Sequence, residues 1–80
     1  MGGGVEVSLE FGRVLRRLRL AAGLTQEQLG QEAGLQRNYV SLMERGVNQP
    51  TITTIFKLAT ALNISASEMI TEVEKNCIKH

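Results

Sequence analysis

Between Thr25 and Gly46 two short segments of apolar periodicity lie almost end to end, and that spacing restricts the fold more than any other feature of the chain. Thr25-Gln26-Glu27-Gln28 has the Ser/Thr-x-x-Glu/Gln form, in which the cap hydroxyl and the third side chain satisfy each other's unpaired backbone donors. A helix is predicted to start there, carrying Leu29 and Ala33 on one face and stopping at Gly34, a residue free to take the left-handed backbone of a tight turn. A second helix follows from about Gln36 to Arg45, with Val40 and Met43 inward and Gly46 at its end. Two such helices, joined by a turn of roughly 3–4 residues, cross at a steep angle and share a small core of Leu29, Ala33, Leu35, Val40 and Met43. Gly30 sits in mid-helix, where glycine costs about 1 kcal/mol relative to alanine. That cost is explained if another backbone passes too close for a side chain.

The flanking sequence supplies three more helices. Ser8 is a plausible N-cap for the first, in which Phe11, Val14/Leu15, Leu18 and Ala22 recur at helical spacing before Gly23. After the loop Val47–Pro50, Thr51 can cap a fourth helix with the stripe Ile52, Ile55, Leu58/Ala59 and Leu62. Ser65-Ala66-Ser67-Glu68 is a second capping box, opening a fifth helix that runs to about Asn76 and shows Met69, Ile70 and Val73, with Cys77 in phase. One proline, two phenylalanines, one tyrosine and no tryptophan also disfavour a sheet, so the fold is read as all-α. The glycine-rich Met1–Gly4 cannot join a core. The expected organisation is a flexible leader over 1–7, one domain over 8–76 and a tail over 77–80, in a chain of 80 residues.

Several function classes are disfavoured. With one histidine (His80), one cysteine (Cys77) and no aspartate, no catalytic triad, metal cluster or carboxylate dyad can be assembled, so neither an enzyme nor a cofactor is expected. Glu27 and Glu32 read as solvated helix charges. No leader peptide or long apolar run is visible, so the cytoplasm is the expected compartment, with no membrane partner. Cys77 cannot pair within the chain, and a small buried thiol is its commonest role. The net charge is only +1, but Arg13, Arg16, Arg17 and Arg19 crowd the first helix while Glu68, Glu72 and Glu74 lie in the last, which suggests a basic end and an acidic end.

Leu24-Thr25-Gln26-Glu27-Gln28-Leu29, Ala33-Gly34-Leu35, Tyr39-Val40-Ser41, Met43-Glu44-Arg45-Gly46, Pro50-Thr51 and Leu62-Asn63-Ile64-Ser65 together resemble, in order and spacing, the helix-turn-helix family of phage repressors, Cro proteins and related bacterial regulators. The resemblance runs from about Phe11 to Ile70. It implies a compact five-helix, lambda-repressor-like domain that binds double-stranded DNA, with the second and third helices as the helix-turn-helix. On that footing Arg37 and Asn38 are expected to read base edges, their side chains suiting guanine O6/N7 and adenine N6/N7. Ser41 and Leu42 face the groove one turn later, Leu42 either touching a thymine methyl or packing against Tyr39 or a partner. Gln36 reads a base or holds phosphate. Gln26, Tyr39, Arg45, Asn48, Thr51 and Arg17 are expected on the DNA backbone. Arg19 and Glu44 match a pair that bridges the first and third helices in the family.

The loop Val47-Asn48-Gln49 lacks the lysine or arginine frequent there in the family. About four neutralised phosphates per dimer then imply a slope of log affinity against log salt near −3 to −4. One helix reads few base pairs, so a homodimer on half-sites about 34 Å apart is expected, with Ile64, Met69, Ile70 and Val73 as its interface. Phe11-Gly12-Arg13, Arg37-Asn38-Tyr39-Val40 and a short fifth helix resemble the controller proteins of restriction-modification systems. That resemblance implies paired operator sites and a Glu44-Arg45-Gly46 corner able to touch RNA polymerase. Phage repressors and antitoxins share the pattern. A protein-interaction module on the same fold is the competing reading, favoured by near-neutral charge and by Leu42.

Overall fold

The computed structural model describes residues 6–77, as five helices: α1 (Val7–Ala21), α2 (Gln26–Ala33), α3 (Arg37–Glu44), α4 (Ile52–Ala61) and α5 (Ala66–Cys77). The leader Met1–Gly4 and residues 78–80, His80 among them, lie outside the described part.

Local signals set most helix ends. At α2 the Thr25 hydroxyl accepts from the Gln28 N–H at 3.0 Å, and the Gln28 carboxamide accepts from the Thr25 N–H at 2.9 Å. Gly34 follows α2 at φ 71°, and the Leu35 N–H turns back to the Gly30 carbonyl at 2.7 Å. A Cβ on Gly30 would lie 2.6 Å from the Leu35 carbonyl oxygen, which is the close backbone approach its mid-helix position implied. Thr51 caps α4 by accepting from the Thr54 N–H at 3.1 Å, and Ser65 caps α5 by accepting from the Glu68 N–H at 3.0 Å. Asn63, at φ 60°, ends α4 in the place glycine usually takes, with the Ile64 N–H on the Ala59 carbonyl at 3.0 Å.

The first helix departs from expectation. It begins at Val7, so Ser8 lies inside it and caps nothing; the Glu10 N–H closes the first turn on the Glu6 carbonyl at 2.9 Å. Ala22 is exposed, because the chain has already turned away from the core at the end of α1.

The core draws on every helix: Val14 and Leu15, Leu29, Val40 and Met43, Leu58, and Met69 are all fully buried. Burying a side chain of this size contributes about 1.5–3 kcal/mol. Helix α1 is the spine, packed on α3 along one side and on α5 along another, while α2 rests on α3 and α4. Its approach to α3 is so close that a Cβ on Gly12 would sit 2.5 Å from the carbonyl oxygens of both Met43 and Glu44.

Two expected apolar assignments change. Ile52 opens the stripe of α4 in the sequence but is 71% exposed, since the first turn of α4 overhangs the core that Ile55, Leu58, Ala59 and Leu62 enter. Met69 and Val73, expected at a dimer interface, are buried against the domain's own core and present no surface to a second chain. Ile70 is exposed and Ile64 half-buried. Cys77 is half-buried against the core edge.

Candidate nucleic-acid interface

Helix α3 has two unlike sides. Val40, Met43 and Glu44 face inward, while Gln36, Arg37, Asn38 and Arg45 are exposed and Tyr39, Ser41 and Leu42 are half-buried. Residues four apart share a helix face. Arg37, Ser41 and Arg45 therefore form one row and Asn38 and Leu42 the row beside it, on a strip that leads away from the turn at Gly34. Tyr39 packs against the core, whereas Leu42 lies outside the core cluster. Gln36 is the N-cap in extended backbone, and its side chain makes no capping bond.

A buried ion pair fixes the angle of this helix. The Arg19 Nε donates to Glu44 Oε2 at 2.6 Å and its Nη2 to Oε1 at 3.0 Å, with 8% and 3% of the two side chains exposed. The Nη1 of Arg19 donates to the Leu24 carbonyl at 2.9 Å, and the Gln26 amide donates to Glu44 Oε1 at 3.1 Å. One carboxylate thus ties the end of α1, the start of α2 and the end of α3 together. The hydrogen bond to Glu44 holds the Arg19 guanidinium above its ordinary pKa, against the opposing effect of burial, so it stays charged. Gln26 was expected on phosphate. Its Nε2 carries a second N–H beyond the one given to Glu44, so the clasp leaves one donor uncommitted. The contact with Glu44 was not foreseen, since nothing in the local pattern links residues eighteen positions apart.

Other expected contacts are redirected. Arg17 turns toward α5 and pairs with Glu72 at 3.0 Å, because it stands about 100° around the helix from Arg16. Arg16 instead lines the concavity that Gln26 and Arg37 share, a placement that needs the orientation of α1 to be known. The Arg17 pairing also overturns the expected separation of charge: basic α1 and acidic α5 are packed neighbours. Glu72 lies below the ordinary carboxylate pKa chiefly through its hydrogen bond from Arg17, with Lys75 adding to the effect. The Thr51 hydroxyl is engaged in its cap and in a 3.0 Å bond with Thr54, and Asn48 is half-buried. Glu44 is buried, so the corner expected to reach polymerase presents only Arg45 as a charge.

Among the described residues Arg16, Arg37, Arg45 and Lys57 form no ion pair, and three of these four cations belong to α1 and to the two ends of α3. Within the same residues no group of three His, Cys, Asp or Glu side chains could hold a metal, and no helix is long and apolar enough to cross a membrane.

Two short packed helices joined by a tight turn at Gly34, the second showing a polar and cationic strip, define a helix-turn-helix domain. The chain belongs to the helix-turn-helix family, whose model matches residues 15–69, a family of transcriptional regulators. It is 39% identical over 64 residues to the HTH-type transcriptional regulator y4dJ of Sinorhizobium fredii, covering 80% of this chain and 83% of that protein. Its structure resembles the restriction-modification controller protein C.AhdI from Aeromonas hydrophila, with 47% identity, a TM-score of 0.76, and 78% and 94% of the two chains covered. It also resembles the controller protein C.Esp1396I, solved as a tetramer in complex with its natural 35 base-pair operator. That match has 27% identity and a TM-score of 0.82, covering 91% of this chain and 96% of that one.

Proposed function

We propose that this chain binds duplex DNA as a homodimer on a palindromic operator, each copy laying α3 into the major groove of one half-site, and regulates transcription in the cytoplasm as a restriction-modification controller. The observation that carries this reading is the strip on α3, Arg37, Asn38, Ser41 and Leu42, held at a set angle by the buried Arg19–Glu44 pair. Arg37 and Asn38 stand at the end of the helix that meets base edges, and their side chains are committed to no partner among the described residues. Leu42 offers methyl groups to a thymine and no hydrogen bond. The names of C.AhdI and of C.Esp1396I with its operator support the assignment to controllers.

The dimer surface supported best lies on α4 rather than on Met69 and Val73. Ile52 and Phe56 are 71% and 59% exposed one turn apart on one face, with Val47 exposed in the preceding loop and Ile70 on α5. Large apolar side chains at this exposure in so small a domain mark an interaction surface.

The test is selection from a random duplex pool at fixed salt with the wild type, Arg37→Ala and Asn38→Ala. A palindrome is expected, losing information at separate positions in each variant, worth about 1–3 kcal/mol per base contact. Absence of any enriched sequence would overturn the reading in favour of a protein-interaction module.

A further inference from the structure

The ends of α1, α2 and α3 enclose an open concavity of about 670 Å³ whose lining includes Arg16, Leu20, Thr25, Gln26, Glu27 and Arg37. Its polar groups are unequally committed. Arg19, at its floor, is spent on Glu44 and Leu24, and the Thr25 hydroxyl on its cap. Gln26 retains one amide N–H. Arg16 and Arg37 have no carboxylate within ion-pair distance among the described residues, and the one carboxylate in the lining, Glu27, is exposed. Arg16 differs in this from its neighbours on α1, since Arg13 pairs with Glu10 at 2.8 Å and Arg17 with Glu72. Two unpaired guanidiniums and an amide donor around one concavity match an anion whose oxygens point in several directions, as a phosphodiester's do.

We infer that Arg16 grips a phosphate of the DNA backbone on the outer flank of each half-site, beside the phosphate reached by Gln26, and so carries the DNA interface from α2 onto α1. This rests on the DNA-binding reading above. Arg16 lines the same concavity as Gln26 and Arg37, so with α3 in the groove its guanidinium lies within the region where those two residues meet the sugar-phosphate ridge. The contact reads no base. It takes the place of the two phosphates per dimer expected of Arg17, which pairs with Glu72 instead, so the expected salt slope stays near −3 to −4.

The test is a salt titration of binding to the selected operator and to a scrambled duplex, by fluorescence anisotropy. The proteins are the wild type, Arg16→Ala, Arg16→Gln, Arg16→Lys and, as a control, Arg13→Ala. Both neutral variants should lower the slope by about 2 per dimer, so that the wild-type advantage shrinks roughly tenfold between 50 and 200 mM salt. Affinity for the two duplexes should fall by the same factor, Arg16→Lys should restore the slope, and Arg13→Ala should behave as wild type. Melting temperatures should not move, since Arg16 is exposed and holds no partner. A wild-type slope in Arg16→Ala and Arg16→Gln, with operator preference intact, overturns the Arg16 contact alone. A wild type that prefers no sequence overturns the DNA-binding reading and this contact with it.

Discussion

Replacing Arg19 by Met should be among the most damaging single changes to the domain. The substitution leaves the Glu44 carboxylate, 3% exposed, with Gln26 as its remaining partner in place of two charged hydrogen bonds, and it strips the Leu24 carbonyl of its donor. Stranding one member of a buried pair costs about 3–5 kcal/mol. Domains are stable by only about 5–15 kcal/mol in total, and at this size each kcal/mol moves the melting temperature by about 4–8 °C, so a drop of about 15–30 °C is expected. Glu44→Leu should cost a similar amount by stranding the guanidinium. Arg19→Met with Glu44→Leu removes both charges and leaves only the Leu24 carbonyl and the Gln26 amide unsatisfied, a loss of about 1–3 kcal/mol. The double variant should therefore be more stable than either single one. Urea denaturation of the four proteins closes the cycle. Singles that each lose under about 1 kcal/mol, as exposed pairs do, would refute the reasoning by showing that water reaches the pair.

Three further outcomes follow from the packing and charge. Gly12→Ala and Gly30→Ala should each cost about 1–3 kcal/mol in denaturant midpoints despite alanine's better helix propensity, because the new methyl meets backbone carbonyls at 2.5 and 2.6 Å; a stabilised variant would contradict the close approach. Ile52→Ser with Phe56→Ser should turn a sedimenting dimer into a monomer with unchanged circular dichroism, and a persistent dimer would move the interface off α4. Glu72 has its folded pKa depressed by Arg17 and Lys75, so its contribution is present above the ordinary carboxylate range and lost as pH falls through the depressed value. The melting-temperature gap between wild type and Glu72→Gln should accordingly be open at neutral pH and close in acid, and a gap that widened in acid would reverse the assignment.

The helices were legible because their ends are local events. Thr25 with Gln28, Ser65 with Glu68, and Gly34 each act within four residues, and the structure forms all three. Facing directions were harder. Met69, Ile70 and Val73 share one apolar period, and only the neighbours of α5 decide that Met69 and Val73 go inward while Ile70 stays out. Ile52 continues the stripe of α4 in register yet overhangs the core, since a helix's first turn can pass the edge of what it packs on. Arg16 and Arg17 are adjacent and chemically identical. Their separation, one toward the concavity and one toward Glu72, depends on how α1 is seated between α3 and α5. The Gly12 contact was missed because its two partners lie more than thirty residues away, although a glycine within an otherwise apolar and basic helix was a signal available beforehand.

That a buried ion pair, rather than two leucines, stands at the junction of α1, α2 and α3 bears on what the domain must hold constant. Apolar contacts are non-directional, so a recognition helix seated on them alone can slide by fractions of an ångström at little cost. A carboxylate accepting from Nε and Nη2 of one guanidinium and from one amide has its oxygens defined in three directions, two anchored on α1 and one on α2. Gly12 removes the remaining freedom by letting the α1 backbone meet the carbonyls of Met43 and Glu44 directly. Base readout depends on hydrogen bonds whose geometry fails within such small displacements, while phosphate contacts through long arginine side chains tolerate them. The double Arg19→Met, Glu44→Leu variant should therefore bind non-operator DNA nearly as the wild type does and lose preference for its operator, the signature of a clamp that holds a reading angle rather than a fold.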